Sequence, residues 1–116
     1  MFDFEKLEVY KKAKVFNQSV AAFLKQSNTD RVTHDQLRRA SFSIMLNIAE
    51  GSARYSNKDK RNFYVIARGS VFECVAIFDY LKDQDLISED VFSKYYEYLE
   101  EMSKMLFALI KGLSKD

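Results

Sequence analysis

No proline interrupts the 116 residues, and glycine occurs only 3 times. A turn-rich sandwich or barrel needs many backbone breakers, whereas long helices joined by short polar turns need few. The apolar residues then decide how many helices there are. From Phe92 through Tyr95, Leu99, Met102, Leu106 and Leu109 to Leu113 they step by 3, 4, 3, 4, 3, 4, the seam of a helix packed on a neighbour. Val9, Ala13, Phe16, Val20 and Phe23 do the same in a first helix, predicted over about 4–26 with Asp3 as its cap. After a turn at Asn28-Thr29-Asp30, a second helix is predicted from near Thr33 or Asp35 to about Ala53, with Leu37, Ala40, Ile44 and Ile48 inward. Ser56 and Ser88 read as N-caps of the third and fourth helices, the third reaching about Asp83. The expectation is an all-α single domain over residues 1–116, an antiparallel up-down-up-down four-helix bundle.

Helices two and three carry more apolar surface than one stripe requires. Phe42, Met45, Leu46 and Ala49 widen the arc of helix two, and only Arg39, Ser43, Asn47, Glu50 and Arg54 keep a polar strip. Helix three has one face of Phe63, Ala67, Cys74, Phe78 and Leu81, and a second of Val65, Phe72, Ala76 and Tyr80 on the opposite side. Surplus apolar faces mark contact surfaces. Self-association through Phe42, Val65, Phe72 and Ala76 is therefore expected; the alternative is a splayed bundle, or an N-terminal arm (Phe2, Phe4) laid over them.

Charge is near balance overall, +1, but unevenly placed. Residues 38–68 hold Arg38, Arg39, Arg54, Lys58, Lys60, Arg61 and Arg68 against Glu50 and Asp59, while residues 69–116 are net acidic. Arg54, Lys58, Lys60, Arg61 and Arg68 surround the turn between helices two and three. They are candidate contacts to RNA or DNA phosphates, with Tyr55 and Tyr64 as stacking surfaces. The alternative is a solvated turn on a scaffold that binds a protein partner.

Catalytic and metal chemistry find little support. One cysteine (Cys74) and one histidine (His34) exclude a disulfide framework and a zinc site built from those ligands. No phosphate-cradling glycine loop or nucleophile elbow occurs. No catalytic residue, metal or cofactor is expected, so the chain reads as a non-enzyme. No stretch approaches the ~18–20 apolar residues of a membrane span, and the first residues lack signal-peptide order, which makes the cytoplasm the expected location.

The stretch SIMLNIAEGSARYSNKDKRNFYVIARGSVFE (residues 43–73) resembles the bacterial four-helix-bundle family of proteins encoded in 23S ribosomal RNA intervening sequences, also labelled S23 ribosomal protein. N-I-A-E-G falls on Asn47 to Gly51, R-x-S on Arg54 and Ser56, and A-R-G-S-x-x-E on Ala67 to Ser70 with Glu73. Phe4, Leu7, Val9, Tyr10 and Ala13 match the opening pattern, and Gln36 to Ala40 the start of helix two. The resemblance implies a four-helix bundle, and pentameric rings as in relatives. One relative, the retroelement accessory protein, is a basic pentamer that binds nucleic acid. Tyr10 in place of a frequent Trp, Asp59-Lys60 and the near-neutral charge depart from the pattern.

The motif residues Arg39, Asn47, Glu50, Gly51, Gly69, Ser70 and Glu73 are read first as packing determinants, with a ligand site as the alternative. In a hairpin turning near residues 54–57, Glu50 is expected near Arg61, Asn47 near Tyr64 and Ser43 near Arg68. Gly51 and Gly69 are expected where another helix comes close, since glycine inside a helix costs about 1 kcal/mol.

Overall fold

A 3-10 turn, Asp3–Lys6, leads into α1 (Glu8–Gln26), α2 (Arg31–Ser52), α3 (Asn57–Asp83) and α4 (Glu89–Gly112). The computed structural model describes residues 1–114, and no strand occurs among them. Three helices start on the side chain that accepts their free amides. Thr33 N–H donates to Asp30, Asp59 N–H to Ser56 and Val91 N–H to Ser88. The carboxylate of Asp30 also accepts from the Thr33 hydroxyl, and these bonds hold its pKa below the usual carboxylate range.

Two boundaries differ from expectation. Asp3 does not cap α1: it begins the 3-10 turn, and the extended backbone of Leu7 separates that turn from α1. The segment thus ends its first turn before the helix proper starts. α2 begins at Arg31, earlier than expected, because Asp30 is already its cap.

Contacts between helices run in opposite senses along each pair. Gln36 meets Glu73 at 2.9 Å, Ser43 meets Ser70 at 3.0 Å and Ser52 meets Lys60 at 2.9 Å, so α2 and α3 are antiparallel. Lys12–Glu101 (3.2 Å) and Ser19–Tyr95 (3.0 Å) set α1 against α4, and Arg61–Leu113 (3.4 Å) and Arg68–Ser103 (3.2 Å) set α3 against α4. The result is a rod of 46 × 24 × 21 Å.

The core follows the apolar spacing. Phe16, Leu37, Ile44, Ile48, Phe78, Leu81, Leu99, Met102 and Leu106 are fully buried. At its centre the rings of Phe78 and Tyr95 stack 4.3 Å apart, and Phe16 meets both edge-on. Val71 and Tyr64 are buried as well, although neither lies on the face expected to point inward.

The α2–α3 hairpin closes tightly at Gly51. A Cβ there would sit 2.9 Å from Tyr64 Cε1 and 3.0 Å from Phe63 Cβ. Gly69 is different: no other helix or side chain among the described residues comes within 4 Å of its Cβ position, so the close approach expected there is absent. We predict that Gly51→Ala costs about 1–3 kcal/mol through overpacking against the Tyr64 ring. Thermal and urea unfolding measure it, and unchanged stability would contradict the packing.

Candidate nucleic-acid interface and assembly face

The link from Ala53 to Ser56 forms the tip of the hairpin. Tyr55 stands fully in solvent, at 103% of its reference exposure, and Lys58 beside it is also exposed. The other expected cations are engaged. Arg54 pairs with Glu50, one turn back, and covers the Phe63 ring at 4.5 Å. Lys60 Nζ donates to Ser52 O at 2.9 Å and Arg61 Nη1 to Leu113 O at 3.4 Å. Both cations thereby serve carbonyl ends of helices, where the macrodipole is negative. Arg68 lies further along α3, its Nε donating to Ser103 O and its guanidinium 4.9 Å from Phe72 and 5.4 Å from Phe107.

The five candidate cations therefore do not form one patch. Arg54, Lys58 and Lys60 gather at the tip, while Arg61 and Arg68 turn toward α4. Tyr64, expected as a stacking surface, is buried against Gly51, and burial pushes its hydroxyl pKa up. The 3-10 turn shares a hollow of about 750 Å³ with the end of α2, so Asp3 approaches the tip beside Glu50.

The motif residues do meet between α2 and α3, at about the expected register but with different partners. Asn47 Nδ2 donates to Ser43 O and to Ser43 Oγ, each at 2.9 Å, and Ser70 Oγ donates to Ser43 Oγ at 3.0 Å. Ser43 thus faces Ser70, since Arg68 is rotated round α3 toward α4. Asn47 bonds back along its own helix instead of to Tyr64, and Glu50 pairs with Arg54 instead of Arg61. Gln36 Nε2 reaches Glu73 at 2.9 Å. Arg39 lines the same cleft, with no ion pair among the described residues.

A second polar contact went unpredicted: Ser41 Oγ and Arg38 Nη1 both donate to Asn17 Oδ1, at 3.1 Å each. Ser41 is completely buried. Its signal was available, a small polar residue standing inside the apolar arc of α2.

The second face of α3 is exposed within the chain. Val65 (51%), Phe72 (55%) and Tyr80 (47%) keep about half their surface, Ala76 is exposed, and Phe107 of α4 continues the patch. The 3-10 turn packs on α1 and α2, so it does not cover this face. A groove of about 520 Å³ runs between α3 and α4 past Phe72, Val75, Ala76, Phe92 and Tyr96. On α2, Phe42 and Leu46 are 41% and 47% exposed.

No group of three His, Cys, Asp or Glu side chains able to hold a metal occurs among the described residues. His34 lies 3.5 Å from Asp35 at the start of α2. Cys74 is buried, and desolvation, with the nearby Glu73 charge, pushes its thiol pKa well up. We predict that native protein at pH 8 leaves Cys74 unmodified by iodoacetamide, and that urea-unfolded protein is fully alkylated, read by intact mass.

The family model of the 23S rRNA-intervening sequence protein matches residues 5–108. The fold is similar to the crystal structure of a protein with unknown function from the S23 ribosomal protein family of Bacteroides thetaiotaomicron VPI-5482. The TM-score is 0.85 at 24% identity, over 89% of this chain and 95% of that one. No curated protein matches the chain. No helix among the described residues is long and apolar enough to cross a membrane. The match over nearly the whole chain, on a four-helix fold, makes this protein a member of the 23S rRNA-intervening sequence protein family.

Proposed function

We propose that the protein is a non-enzymatic, cytoplasmic homo-oligomer that holds RNA or single-stranded DNA weakly, without sequence preference, at its α2–α3 tips. The observation that carries this reading is the tip itself. A fully exposed aromatic ring, Tyr55, stands beside the exposed Lys58 and the Arg54 guanidinium, on a turn held by the Ser56 cap and the Lys60–Ser52 bond. Exposed rings take unpaired bases without regard to sequence, and cations beside them neutralise phosphates. Assembly is supported by the uncovered Val65, Phe72, Ala76 and Phe107: fully burying a Val or Phe side chain is worth roughly 1.5–3 kcal/mol, and the three large ones are about half exposed, so part of that gain is still open to them. Gly69, with open space above its backbone on the same helix, admits close approach of a neighbouring copy. The resemblance to ring-forming relatives makes a pentamer the expected count.

A second reading, a scaffold for a protein partner, is favoured by one observation. Lys60 and Arg61 spend hydrogen bonds on helix carbonyls, and Asp3 and Glu50 lie at the tip, which reduces its free positive charge.

Anisotropy with a labelled nine-nucleotide RNA separates the two. Affinity should fall steeply between 50 and 200 mM salt, by a roughly tenfold step or more. Lys58→Glu should weaken it severalfold with no loss of melting temperature, because that exposed side chain makes no hydrogen bond or ion pair among the described residues and an acidic group suits the first turn of α3. No binding at low salt overturns the nucleic-acid reading in favour of the scaffold. Sedimentation at micromolar concentration tests assembly: wild type should run as an oligomer and Phe72→Asp as a smaller species. A wild-type monomer would overturn the assembly.

A further inference from the structure

The polar strip of α2 continues away from the tip. Arg54, Glu50, Asn47, Ser43 and Arg39 succeed one another along one side of the helix, over about 22 Å at 1.5 Å per residue. At its far end a cleft of about 370 Å³ opens between α2 and α3, lined by Gln36, Arg39, Ala40, Ser43, Ser70 and Glu73.

Hydrogen bonding within the cleft leaves donors and acceptors to spare. Ser43 Oγ accepts from Asn47 Nδ2 at 2.9 Å and from Ser70 Oγ at 3.0 Å. A hydroxyl has two lone pairs and one proton, so Ser43 has only its proton left to offer. Arg39 can only donate. Across the gap, Glu73 uses Oε2 to accept from Gln36, and Oε1 accepts from no donor among the described residues. The Arg39 guanidinium and the Ser43 proton on α2 thus share the cleft with the second Glu73 oxygen on α3, and the Gln36 amide oxygen on α2 is a further acceptor. The guanidinium and the carboxylate share one cleft without pairing.

An anion here would meet Glu73, and a cation would meet Arg39. A neutral, planar group with acceptors on one edge and donors on another satisfies both. Of the bases on a nucleic-acid strand, guanine has that layout: O6 and N7 suit the arginine fork, and the amino group beside the ring N–H suits a carboxylate. We propose that this cleft receives an unpaired guanine of a single RNA strand whose backbone lies at the tip. The inference rests on the nucleic-acid reading above, and adds a base preference to a contact otherwise blind to sequence. The strip is long enough for about six nucleotides at the ~3.4 Å rise of a stacked strand.

The test compares a labelled nine-uridine RNA with the same RNA carrying guanosine at position 2 or position 8, by anisotropy at 50 mM salt. One guanosine RNA should bind about tenfold tighter than the uridine RNA. Arg39→Gln and Glu73→Gln should each abolish that preference while leaving nine-uridine binding within twofold. Inosine, which keeps O6, N7 and the ring N–H but lacks the amino group, should bind wild type more weakly than guanosine and more tightly than uridine. Both substituted side chains are exposed, and unchanged circular dichroism checks the fold. Equal binding of all RNAs by wild type, or a preference that survives in both variants, overturns the guanine site while the tip contact stands. Absence of binding to any of the RNAs overturns the tip reading, and the guanine site with it.

Discussion

The placement of every candidate group depends on how closely α2 and α3 approach at their closed end. Gly51 lets the ring of Tyr64 lie almost against the α2 backbone. From that point the two helices run side by side, and further along them two small residues face one another, Ser43 and Ser70, joined at 3.0 Å. A larger residue at either end would wedge the hairpin open, tilt α3, and change which of its faces looks outward. The polar cleft and the apolar outer wall are two results of the same rotation of α3 about its axis.

That rotation also explains the division of labour among the basic residues. On α3, Lys60 and Arg61 start the helix beside the ends of α2 and α4, where free carbonyls accumulate. Arg68 lies over two aromatic rings, one from each helix of the α3–α4 pair. These cations tie the helices to each other. Lys58, exposed in the same first turn, makes no hydrogen bond or ion pair among the described residues, and it is the residue whose charge is most available to something outside the chain.

Much of this was readable from residue order. The Ser56 and Ser88 caps, the seam of α4 and the inward faces of α1 and α2 follow from spacing and local hydrogen bonding, which act over a few residues. The start of α1 was not readable, because Asp3 is the first residue of a 3-10 turn and caps neither element, and only the extended backbone at Leu7 separates that turn from the helix. The partners across α2 and α3 differ from expectation for a related reason, although the register of the hairpin does not. A wheel fixes which residues share a face, but it does not fix how far one helix is turned relative to its neighbour. Tyr64 went inward and Arg68 went sideways on that account. Gly69 looked like Gly51 in sequence, and only the neighbour's position tells them apart.

The rod is unequal lengthwise. Its 3-10 arm lies against the end of α2, and Arg61 brings the last turn of α4 beside the start of α3. Residues at both extremities of the described chain therefore emerge at the same end of the rod as Tyr55. A fluorophore or fused domain joined at either extremity would shadow the tip and compete with whatever approaches it. The loops at Ser27–Asp30 and Gln84–Ser88 lie at the opposite end, roughly 36 Å away by helix length, and are the places from which to watch the tip without touching it.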